Sequence, residues 1–141
     1  MALLFDAVYI LAILVISPYW FWKIPQAKRY RAGLLQRLGF VPDLPAGKKR
    51  IWIHCASVGE ASIPSELVKQ IKKRHRDVEL VFSTFTDTGA GRLSDLYPGS
   101  KVFYWPLDIS FCVQTALSRI KPDAVLLVEQ EFWPNFVCEC N

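Results

Sequence analysis

Residues 51–64 read IWIHCASVGEASIP. The apolar start of this stretch belongs to RIWIHC (50–55), which has the composition of a buried β-strand. Small residues follow, and then a lone carboxylate, Glu60, opens EASIPSELVKQIKKRHR (60–76), whose apolar residues recur with the period of an amphipathic helix. Strand, tight loop and helix together make one β-α unit.

Three more predicted strands follow along the chain, each succeeded by a predicted helix. Because strands that alternate with helices form right-handed β-α-β units, the pattern predicts a parallel sheet. The strands are apolar along their length, which is typical of a sheet covered on both faces. We therefore expect an α/β fold, a Rossmann-like parallel sheet with helices on both faces. The further strands are 78–84, 101–105 and 123–129, and the further helices lie around 91–97, at 109–119 and from near Pro134.

The carboxyl ends of parallel strands meet at one edge of the sheet, and folds of this class bind their ligands there. In this chain the strand ends are CASVGE, STFTDTG, WPLD and VEQEFWPN. We therefore expect the functional residues to gather at that edge.

Glu60 has two interpretations. The residues Ser57-Val58-Gly59-Glu60 match the S-x-x-E capping box, in which the serine and the glutamate satisfy free amides at a helix start. Alternatively, Gly59 allows a ligand close to the backbone, and the helix N-terminus keeps the Glu60 carboxylate ionised. An ionised carboxylate beside a cleft can take a proton from a hydroxyl. The two roles are compatible in one residue.

Glu129 and Glu131 follow the apolar run AVLLV at the end of the fourth predicted strand. If the strand continues through them, alternation sends both side chains to the same side. An exposed strand end would explain either residue. A charge directly after a buried strand is also expected where a sheet meets a binding cleft.

The segment TDTGAG (86–91) resembles a phosphate-binding loop, but it lacks the Walker lysine and the third glycine of a dinucleotide fingerprint. A helix N-terminus at this loop could still hold an anionic group. On the preceding helix, basic side chains form a stripe that we interpret as a solvated face, with attraction to a membrane or a phosphorylated lipid as the alternative. The stripe consists of Lys69, Lys72, Lys73 and Arg76.

Residues 1–22 predict an apolar membrane-anchor helix. Asp6 is their only charge, and they end in the aromatic cluster YWFW, which is typical of a membrane boundary. The uncharged segment, residues 7–22, is shorter than the roughly 20 residues of a membrane-crossing helix. A tilted span and a monotopic, half-buried helix both fit, and a buried helix of a soluble protein is the remaining alternative.

The formal charge of the chain is +4, and the basic residues cluster after the apolar segment, with no acidic residue between Asp6 and Asp43. Such clusters favour the cytoplasmic side and an anionic lipid surface. Residues 23–48 are predicted to form a basic linker, since they end in the proline- and glycine-rich GFVPDLPAGKK. A cytoplasmic domain would keep its four cysteines as free thiols, and their spacing matches no usual zinc site, so we expect no metal.

The motifs RLGF, IWIHCASVGE, STFTDTG, YWPLD and PDAVLLVEQEFWPN, in this order, resemble the amino-terminal part of bacterial 3-deoxy-D-manno-octulosonic acid (Kdo) transferases. The resemblance covers essentially the whole chain, and SVGE combined with E-x-E-F-W-P-N at this spacing is a specific signal. It implies the amino-terminal half of a GT-B glycosyltransferase. Residues 49–141 would be the Rossmann-like acceptor domain, and the carboxyl-terminal donor domain would be absent from this chain.

Enzymes of this family transfer Kdo from CMP-Kdo to a lipid A precursor in lipopolysaccharide biosynthesis, at the cytoplasmic face of the bacterial inner membrane. The resemblance implies that Glu60 is the general base, that Glu129 supports the transition state, and that no metal or cofactor takes part. The expected partners are the lipid A precursor, CMP-Kdo through the second domain, and the membrane surface, but no nucleic acid. The motif positions expected to bind substrate are Ser57, Gly59, Thr88, Gly89, Glu131 and Asn135.

One motif departs from the family pattern, because Asp87 stands where the loop T-x-T-P-T-G has proline. It adds a negative charge near the expected acceptor site. Two other hypotheses remain beside the transferase. One is a non-catalytic, membrane-anchored lipid-binding remnant that lacks the donor domain. The other is half of a nucleotide-dependent oxidoreductase, against which the missing G-x-G-x-x-G after the first strand argues.

Overall fold

The computed structural model describes residues 5–12, 14–15, 33–129 and 132–140. These residues belong to two compact units. The first unit draws on Met1–Val41, Pro106–Ser118 and Phe132–Asn141, and the second on Pro42–Trp105 and Arg119–Glu131. The second unit contains the sheet.

The described residues form the following elements in chain order. The helices are α1 (residues 5–12 and 14–15), α2 (Leu34–Arg37), a short 3-10 turn (Glu60–Ser62), α3 (Ser65–Arg74), α4 (Asp87–Leu96), α5 (Ser110–Ile120) and α6 (Pro134–Glu139). The strands are β1 (Arg50–His54), β2 (Glu79–Thr84), β3 (Lys101–Tyr104) and β4 (Ala124–Leu127).

The four strands run parallel in the order β3-β2-β1-β4. In this register Trp52 of β1 lies opposite Val81 of β2 and Val125 of β4. The predicted α/β fold with a parallel sheet is therefore confirmed. The order also means that the sheet extends from β1 towards β2 and β3 on one side and towards β4 on the other, so the topological switch point lies between β1 and β4.

One face of the sheet carries the main core of the second unit. Alternate residues of β1 and β2, including Ile53 and Phe82, are buried there against Val68 of α3 and Leu93 of α4. At the end of α4, the ring of Tyr97 stacks on Phe82 with centroids 4.3 Å apart. Its hydroxyl donates to the carbonyl oxygen of Ala61 at 2.9 Å, which fixes the 3-10 turn after β1 to this core.

The opposite face of the sheet is also buried. Trp52 and Val81 are fully buried, and the ring of Trp52 lies 5.1 Å from that of Trp105, which follows β3. The Trp52 Nε1 donates to the Ser83 hydroxyl oxygen at 2.7 Å, so the one polar atom of this large side chain is satisfied inside the fold.

At the amino-terminal end of β1, a fully buried arginine joins several elements of the second unit. The Arg50 guanidinium donates through Nε to Glu79 at 2.8 Å, and also to the carbonyl oxygens of Ile120 and Pro45. Its backbone N–H donates to Asp123 at 2.6 Å. The buried guanidinium is therefore paired with a carboxylate and hydrogen-bonded to carbonyl oxygens, as buried ions require.

Three predicted boundaries were wrong. The helix predicted at 60–76 is broken, because Pro64 precedes Ser65, where α3 begins after the separate 3-10 turn. TDTGAG is not a loop, since α4 begins at Asp87 and the Thr86 side chain accepts from the Gly89 N–H. Strand β4 ends at Leu127 rather than 129, since Glu129 has a left-handed φ of 65°.

The predicted anchor and linker are described only in part. Residues 5–12 and 14–15 of the anchor are helical, and the linker is described from residue 33, where it contains α2. Val41 and Leu44 of the linker are buried. In the described part of the chain, no helix has the length and apolar character needed to cross a membrane.

Candidate active site

Glu60 begins the 3-10 turn in the connection that follows the carboxyl end of β1, and the residue is half-buried. One of its carboxylate oxygens accepts from the Ala56 N–H at 2.8 Å, and the other accepts from the Ser57 hydroxyl at 2.7 Å. A capping box would have the serine oxygen accept from a helix amide. Here Ser57 donates to the glutamate instead, and the turn has no side-chain cap, so the carboxylate is fixed to the loop and not to helix amides.

The loop that holds Glu60 is itself bound to the end of β2. The Cys55 N–H donates to the Ser83 carbonyl oxygen at 2.9 Å, and the Thr84 hydroxyl donates to the Ala56 carbonyl oxygen at 3.1 Å. The Phe85 N–H contacts the same Ala56 oxygen. These bonds keep residues 55–57 in place, so the direction of the Glu60 carboxylate does not depend on its own rotamer alone.

Two titratable groups beside this loop are held in their neutral forms. Burial raises the pKa of the Cys55 thiol to about 12, and the nearby negative charge of Glu60 adds to the shift. Burial lowers the pKa of His54 to about 3, although a hydrogen bond to Ser83 opposes this shift. Its ring lies 4.0 Å from the Trp105 ring and 5.0 Å from the Phe85 ring. Neither the Cys55 thiol nor the His54 ring is therefore charged at neutral pH.

Gly59 has room for a Cβ without a close contact. It is exposed and has an ordinary helical φ of −62°. A Cβ added there would meet only the Ser57 hydroxyl oxygen, at 3.8 Å. Neither backbone strain nor packing within the described chain requires a glycine at this position, which leaves the approach of a ligand as a reason for it.

Thr88 and Gly89 lie in the first turn of α4, which follows β2 at the same edge of the sheet. Thr88 is exposed. Gly89 is buried, and a Cβ there would lie 2.4 Å from the Thr84 hydroxyl oxygen. The glycine therefore allows the start of α4 to pack against the end of β2, so packing alone accounts for it.

Glu129 follows β4 at the switch point. The Val128 N–H donates to the His54 carbonyl oxygen at 3.0 Å, which ties the end of β4 to the end of β1. Glu129 is exposed, and its left-handed backbone costs about 1–2 kcal/mol for a residue that is not glycine. Two carboxylates, Glu60 after β1 and Glu129 after β4, thus follow the two adjacent strands that flank the switch point. Glu131 lies outside the described residues.

The family of the chain follows from its similarity to known proteins. A family model described as 3-deoxy-D-manno-octulosonic-acid transferase (kdotransferase) matches residues 32–141. The chain belongs to this family. The resemblance based on the SVGE and E-x-E-F-W-P-N motifs is therefore confirmed.

Individual members of the family and a related enzyme are similar along much of the chain. The 3-deoxy-D-manno-octulosonic acid transferase of Haemophilus influenzae is 34% identical over 115 residues, which are 79% of this chain and 27% of that protein. The transferase of the same name from Chlamydia trachomatis is 29% identical over 139 residues, 96% of this chain and 32% of that protein. A bifunctional glycosyltransferase/methyltransferase of Fusobacterium nucleatum is 39% identical over 94 residues, 64% of this chain and 14% of that protein. The chain spans about a third or less of the length of these curated relatives.

Asp87, which stands at the proline of the family loop, has a structural partner. It occupies the first turn of α4, where a negative charge interacts favourably with the helix dipole. Its carboxylate accepts from the hydroxyl of Tyr104 at the end of β3. The added charge at the expected acceptor site is therefore directed into a contact between α4 and β3.

Asn135 of the E-x-E-F-W-P-N motif is fully buried in the first unit. Its side-chain amide donates to the carboxylate of Asp6 at 2.8 Å and to the carbonyl oxygen of Asp108 at 2.7 Å. The Asp108 carboxylate accepts from the N–H groups of Asn135 and Phe136 at 3.1 and 2.8 Å, which caps α6. This residue is part of a buried polar network that holds α6.

The sequence interpretation missed Asp6 and Asp108 as members of this network. Asp6 is the one charge of the predicted anchor, yet its carboxylate accepts from the Ser110 N–H at 2.9 Å as well as from Asn135. A signal for Asp108 was present, because an aspartate just before a predicted helix is a common cap. Its helix partner, however, is α6, whose start lies 26 residues later in the chain.

The cysteines include one residue of the Glu60 loop, Cys55, whose backbone N–H takes part in the hydrogen bonds of the loop. All four cysteines are free; Cys55 and Cys112 are buried, and Cys138 and Cys140 are exposed. Within the described ranges, no group of three or more His, Cys, Asp or Glu side chains is arranged to hold a metal ion. A depression of about 870 Å³ lies at the opposite, amino-terminal edge of the sheet, lined by basic residues that include Lys48, Lys49 and Arg74 together with Asp77 and Glu79.

Proposed function

We propose that this chain is the acceptor-binding part of a Kdo transferase, an enzyme that moves Kdo from CMP-Kdo to a lipid A precursor at the cytoplasmic face of the inner membrane. Family membership supports a glycosyltransferase. The observation that carries the chemical part is the Glu60 carboxylate, oriented by Ala56 and Ser57 at the carboxyl end of β1 and beside the switch point.

In the proposed reaction, a hydroxyl of the acceptor sugar gives its proton to a Glu60 oxygen as its own oxygen attacks the anomeric carbon of Kdo. The bond between that carbon and the phosphate oxygen of CMP breaks at the same time, and CMP leaves with the bonding electrons. Each carboxylate oxygen has two lone pairs, and the described residues donate one hydrogen bond to each. One lone pair on each oxygen is therefore left to accept from the acceptor hydroxyl.

Glu129 is proposed to support the transition state from the neighbouring strand end. Ser57 orients the base, and Gly59 leaves space for the acceptor. Thr88 is exposed at the start of α4 and could contact the acceptor, whereas Gly89 and Asn135 would act by packing and by holding α6. No metal or cofactor is part of the proposal, and CMP-Kdo would be bound by the part of the enzyme that lies beyond the matched third of its relatives.

A transfer assay tests the proposal. The chain is combined with the carboxyl-terminal donor part of the Haemophilus influenzae transferase and supplied with CMP-Kdo and a lipid A precursor. We expect Kdo-modified lipid and free CMP in equal amounts, and neither product from the donor part alone. Binding of the lipid precursor without any transfer, in a pair of parts that is shown to associate, would instead favour the non-catalytic lipid-binding module.

A further inference from the structure

The depression at the amino-terminal edge of the sheet lies within the second unit. Its described lining comes from residues 47–49 before β1, from residues 74–79, which run from the end of α3 to the start of β2, and from Gly99 before β3. Its volume of about 870 Å³ is in the range of small-molecule sites. The five residues of β1 separate this edge from the carboxyl edge by roughly 16 Å. The depression is therefore wide enough for a small ligand and lies apart from the candidate active site.

Backbone hydrogen bonds hold the segments around the depression. The Glu79 N–H donates to the Lys49 carbonyl oxygen at 2.9 Å, which joins the chain before β1 to the start of β2. The His75 N–H donates to the Ile71 carbonyl oxygen at 2.7 Å, and the Val78 N–H donates to the His75 carbonyl oxygen at 3.3 Å. The positions of the basic residues on these segments are therefore set by the fold of this unit.

The free charges of the depression are mainly positive. Four exposed cations line it, and none of the four forms an ion pair with a carboxylate of the described residues. Because cations around a common space repel one another, an anion bound between them lowers the electrostatic free energy. The four residues are Lys48, Lys49, Arg74 and Arg76.

Two carboxylates also belong to the described lining, and one of them is already engaged. The Glu79 Oε2 accepts from the Arg50 Nε at 2.8 Å, and its Oε1 lies 3.8 Å from the Lys101 Nζ. The charge of Glu79 is thus balanced by two cations that are not part of the lining. Asp77 is the remaining carboxylate, and it is exposed. The four cations and Asp77 together leave a formal excess of three positive charges.

The dipole of α3 explains this cluster only in part. Arg74 lies in the last turn of the helix, where a cation interacts favourably with the carboxyl end. Lys48 and Lys49 precede a strand and belong to no helix. Their side chains are exposed and unpaired among the described residues, so helix stabilisation does not account for them.

The lining indicates a ligand that is charged and compact. Among the described lining residues, Val78 is the one aliphatic side chain and His75 the one aromatic ring, so little apolar surface is offered to an acyl chain or a nucleobase. Arginine binds phosphate oxygens through two N–H groups, and lysine binds them as a point charge. A single phosphate ester has about 1.5 to 2 negative charges at neutral pH, so the excess of three positive charges suits one or two phosphate groups.

We propose that this depression binds a compact, soluble molecule whose phosphate groups have at least two negative charges, at a site separate from that of the transfer reaction. Lys48 and Lys49 hold the ligand from the side of β1, and Arg74 and Arg76 hold it from the side of α3. The proposal does not rest on the proposed function, since none of these residues belongs to the Glu60 loop.

Titration calorimetry of the full chain with inorganic pyrophosphate tests the binding, in a buffer without phosphate or divalent cations. We expect one binding site per chain. The double variant Lys48→Gln/Arg76→Gln removes one cation from each side and should weaken the binding at least about ten-fold, since two charge-assisted contacts to phosphate are lost. The matched control Lys72→Gln/Lys73→Gln removes the same charge from exposed residues of α3 outside the lining and should change the Kd by less than about two-fold.

Two results of this titration would overturn the site. Equal weakening by both double variants would show that pyrophosphate follows the overall positive charge and not the depression. Absence of binding by the unchanged chain at about 1 mM pyrophosphate would show that the four cations do not act together.

Amide chemical shifts locate the bound ion. In the ¹⁵N-labelled full chain, pyrophosphate should shift the N–H signals of Gly47, Lys49 and Gly99 and leave that of Gly59 in the Glu60 loop unchanged. Shifts confined to the Glu60 loop or to the start of α4 would place the anion at the carboxyl edge of the sheet and would overturn the proposal.

Vesicles separate a soluble ligand from a lipid head group, which offers the same phosphate chemistry. The chain mixed with phosphatidylglycerol vesicles should still bind pyrophosphate with the same Kd. Loss of that binding on the vesicles would show that lipid head groups fill the depression and would overturn the soluble ligand.

Two variants separate this proposal from the proposed function. Glu60→Gln should bind pyrophosphate as the unchanged chain does, and Lys48→Gln/Arg76→Gln should transfer Kdo at the normal rate when combined with the donor part. A lower transfer rate in the double variant would contradict a separate site. A failed transfer assay leaves the pyrophosphate result unaffected, and a failed titration leaves the transferase unaffected.

Discussion

At the scale of single residues, the two glycines of the candidate site differ in the reason for a glycine at each position. Gly59 has an ordinary backbone and room for a Cβ, whereas Gly89 fits against the Thr84 hydroxyl oxygen with no room for a Cβ. In the sequence both are glycines of a motif. The structure shows that packing requires the glycine at position 89 and does not require the one at position 59.

Gly59→Ala should therefore act on transfer and not on stability. Its helical φ and ψ suit alanine, so the free energy of unfolding should stay the same or rise by up to about 1 kcal/mol. If Gly59 leaves space for the acceptor, the Cβ should lower transfer to the lipid precursor by at least about ten-fold. Gly89→Ala is the matched control and should lower the free energy of unfolding by about 1–3 kcal/mol through its close contact with Thr84. Chemical denaturation and the transfer assay measure the two effects, and normal transfer by a stable Gly59→Ala variant would remove the role of Gly59.

The lowered pKa of His54 predicts how the free energy of unfolding depends on pH. Its pKa is about 3 in the fold and about 6.5 when unfolded, so between these values the unfolded chain binds a proton that the folded chain does not. Stability from this residue is therefore complete above about pH 6.5 and falls as the pH drops, by about 1.4 kcal/mol per pH unit. Denaturant titrations between pH 6.5 and 5 should show this slope.

The control for that slope uses the second histidine of the chain. His54→Gln should abolish the slope between pH 6.5 and 5, and His75→Gln, which changes an exposed side chain, should keep it. An unchanged slope in His54→Gln would mean that other groups cause the pH dependence.

At the scale of elements, the sequence predicted the strands better than the helix starts. Strands β1, β2 and β3 matched within one residue, because apolar β-branched and aromatic runs admit few alternatives. The helix starts depended on single residues whose effect is local. Pro64 separated the 3-10 turn from α3, and Thr86 began α4 inside a segment with the glycine content of a loop.

The contact between β1 and β2 at the amino-terminal edge gives a prediction at this scale. Glu79→Gln removes the charge that is paired with the buried Arg50, and the free energy of unfolding should fall by about 2–4 kcal/mol. This loss is smaller than the about 3–5 kcal/mol for a fully buried pair because the Glu79 side chain is 24% exposed. Glu66→Gln breaks the exposed pair with Lys69 and should have no measurable effect on thermal unfolding. Equal stability of the two variants would contradict the importance of the Arg50 contacts.

At the scale of the whole molecule, the sequence predicted a parallel α/β sheet, and this was confirmed. The hydrophobic period and the composition of the strands were enough to predict the sheet, because both are properties of short stretches of sequence. Contacts between distant segments could not be predicted. The buried network of Asp6, Asp108 and Asn135 joins residues more than 100 positions apart, and nothing in a local pattern marks them as partners.

In the candidate site too, the position of a residue could be predicted from the sequence, whereas its contacts could not. The position of Glu60 after β1 followed from the sequence, but its hydrogen bonds did not, since the S-x-x-E pattern predicted a capping box and the structure has Ser57 donating to the carboxylate. The catalytic role of Glu60 stays a prediction that rests on this geometry and on family membership.

The most direct test of the account is the single-turnover rate of Kdo transfer by Glu60→Gln, measured in the chain combined with the donor part. Glutamine keeps the size of the side chain and can still accept from one donor, but it cannot take the proton of the acceptor hydroxyl. The account predicts a loss of about 10²- to 10⁴-fold with an unchanged melting temperature, while Glu66→Gln transfers at the normal rate. A Glu60→Gln variant that transfers Kdo at a rate near that of the unchanged chain would contradict it.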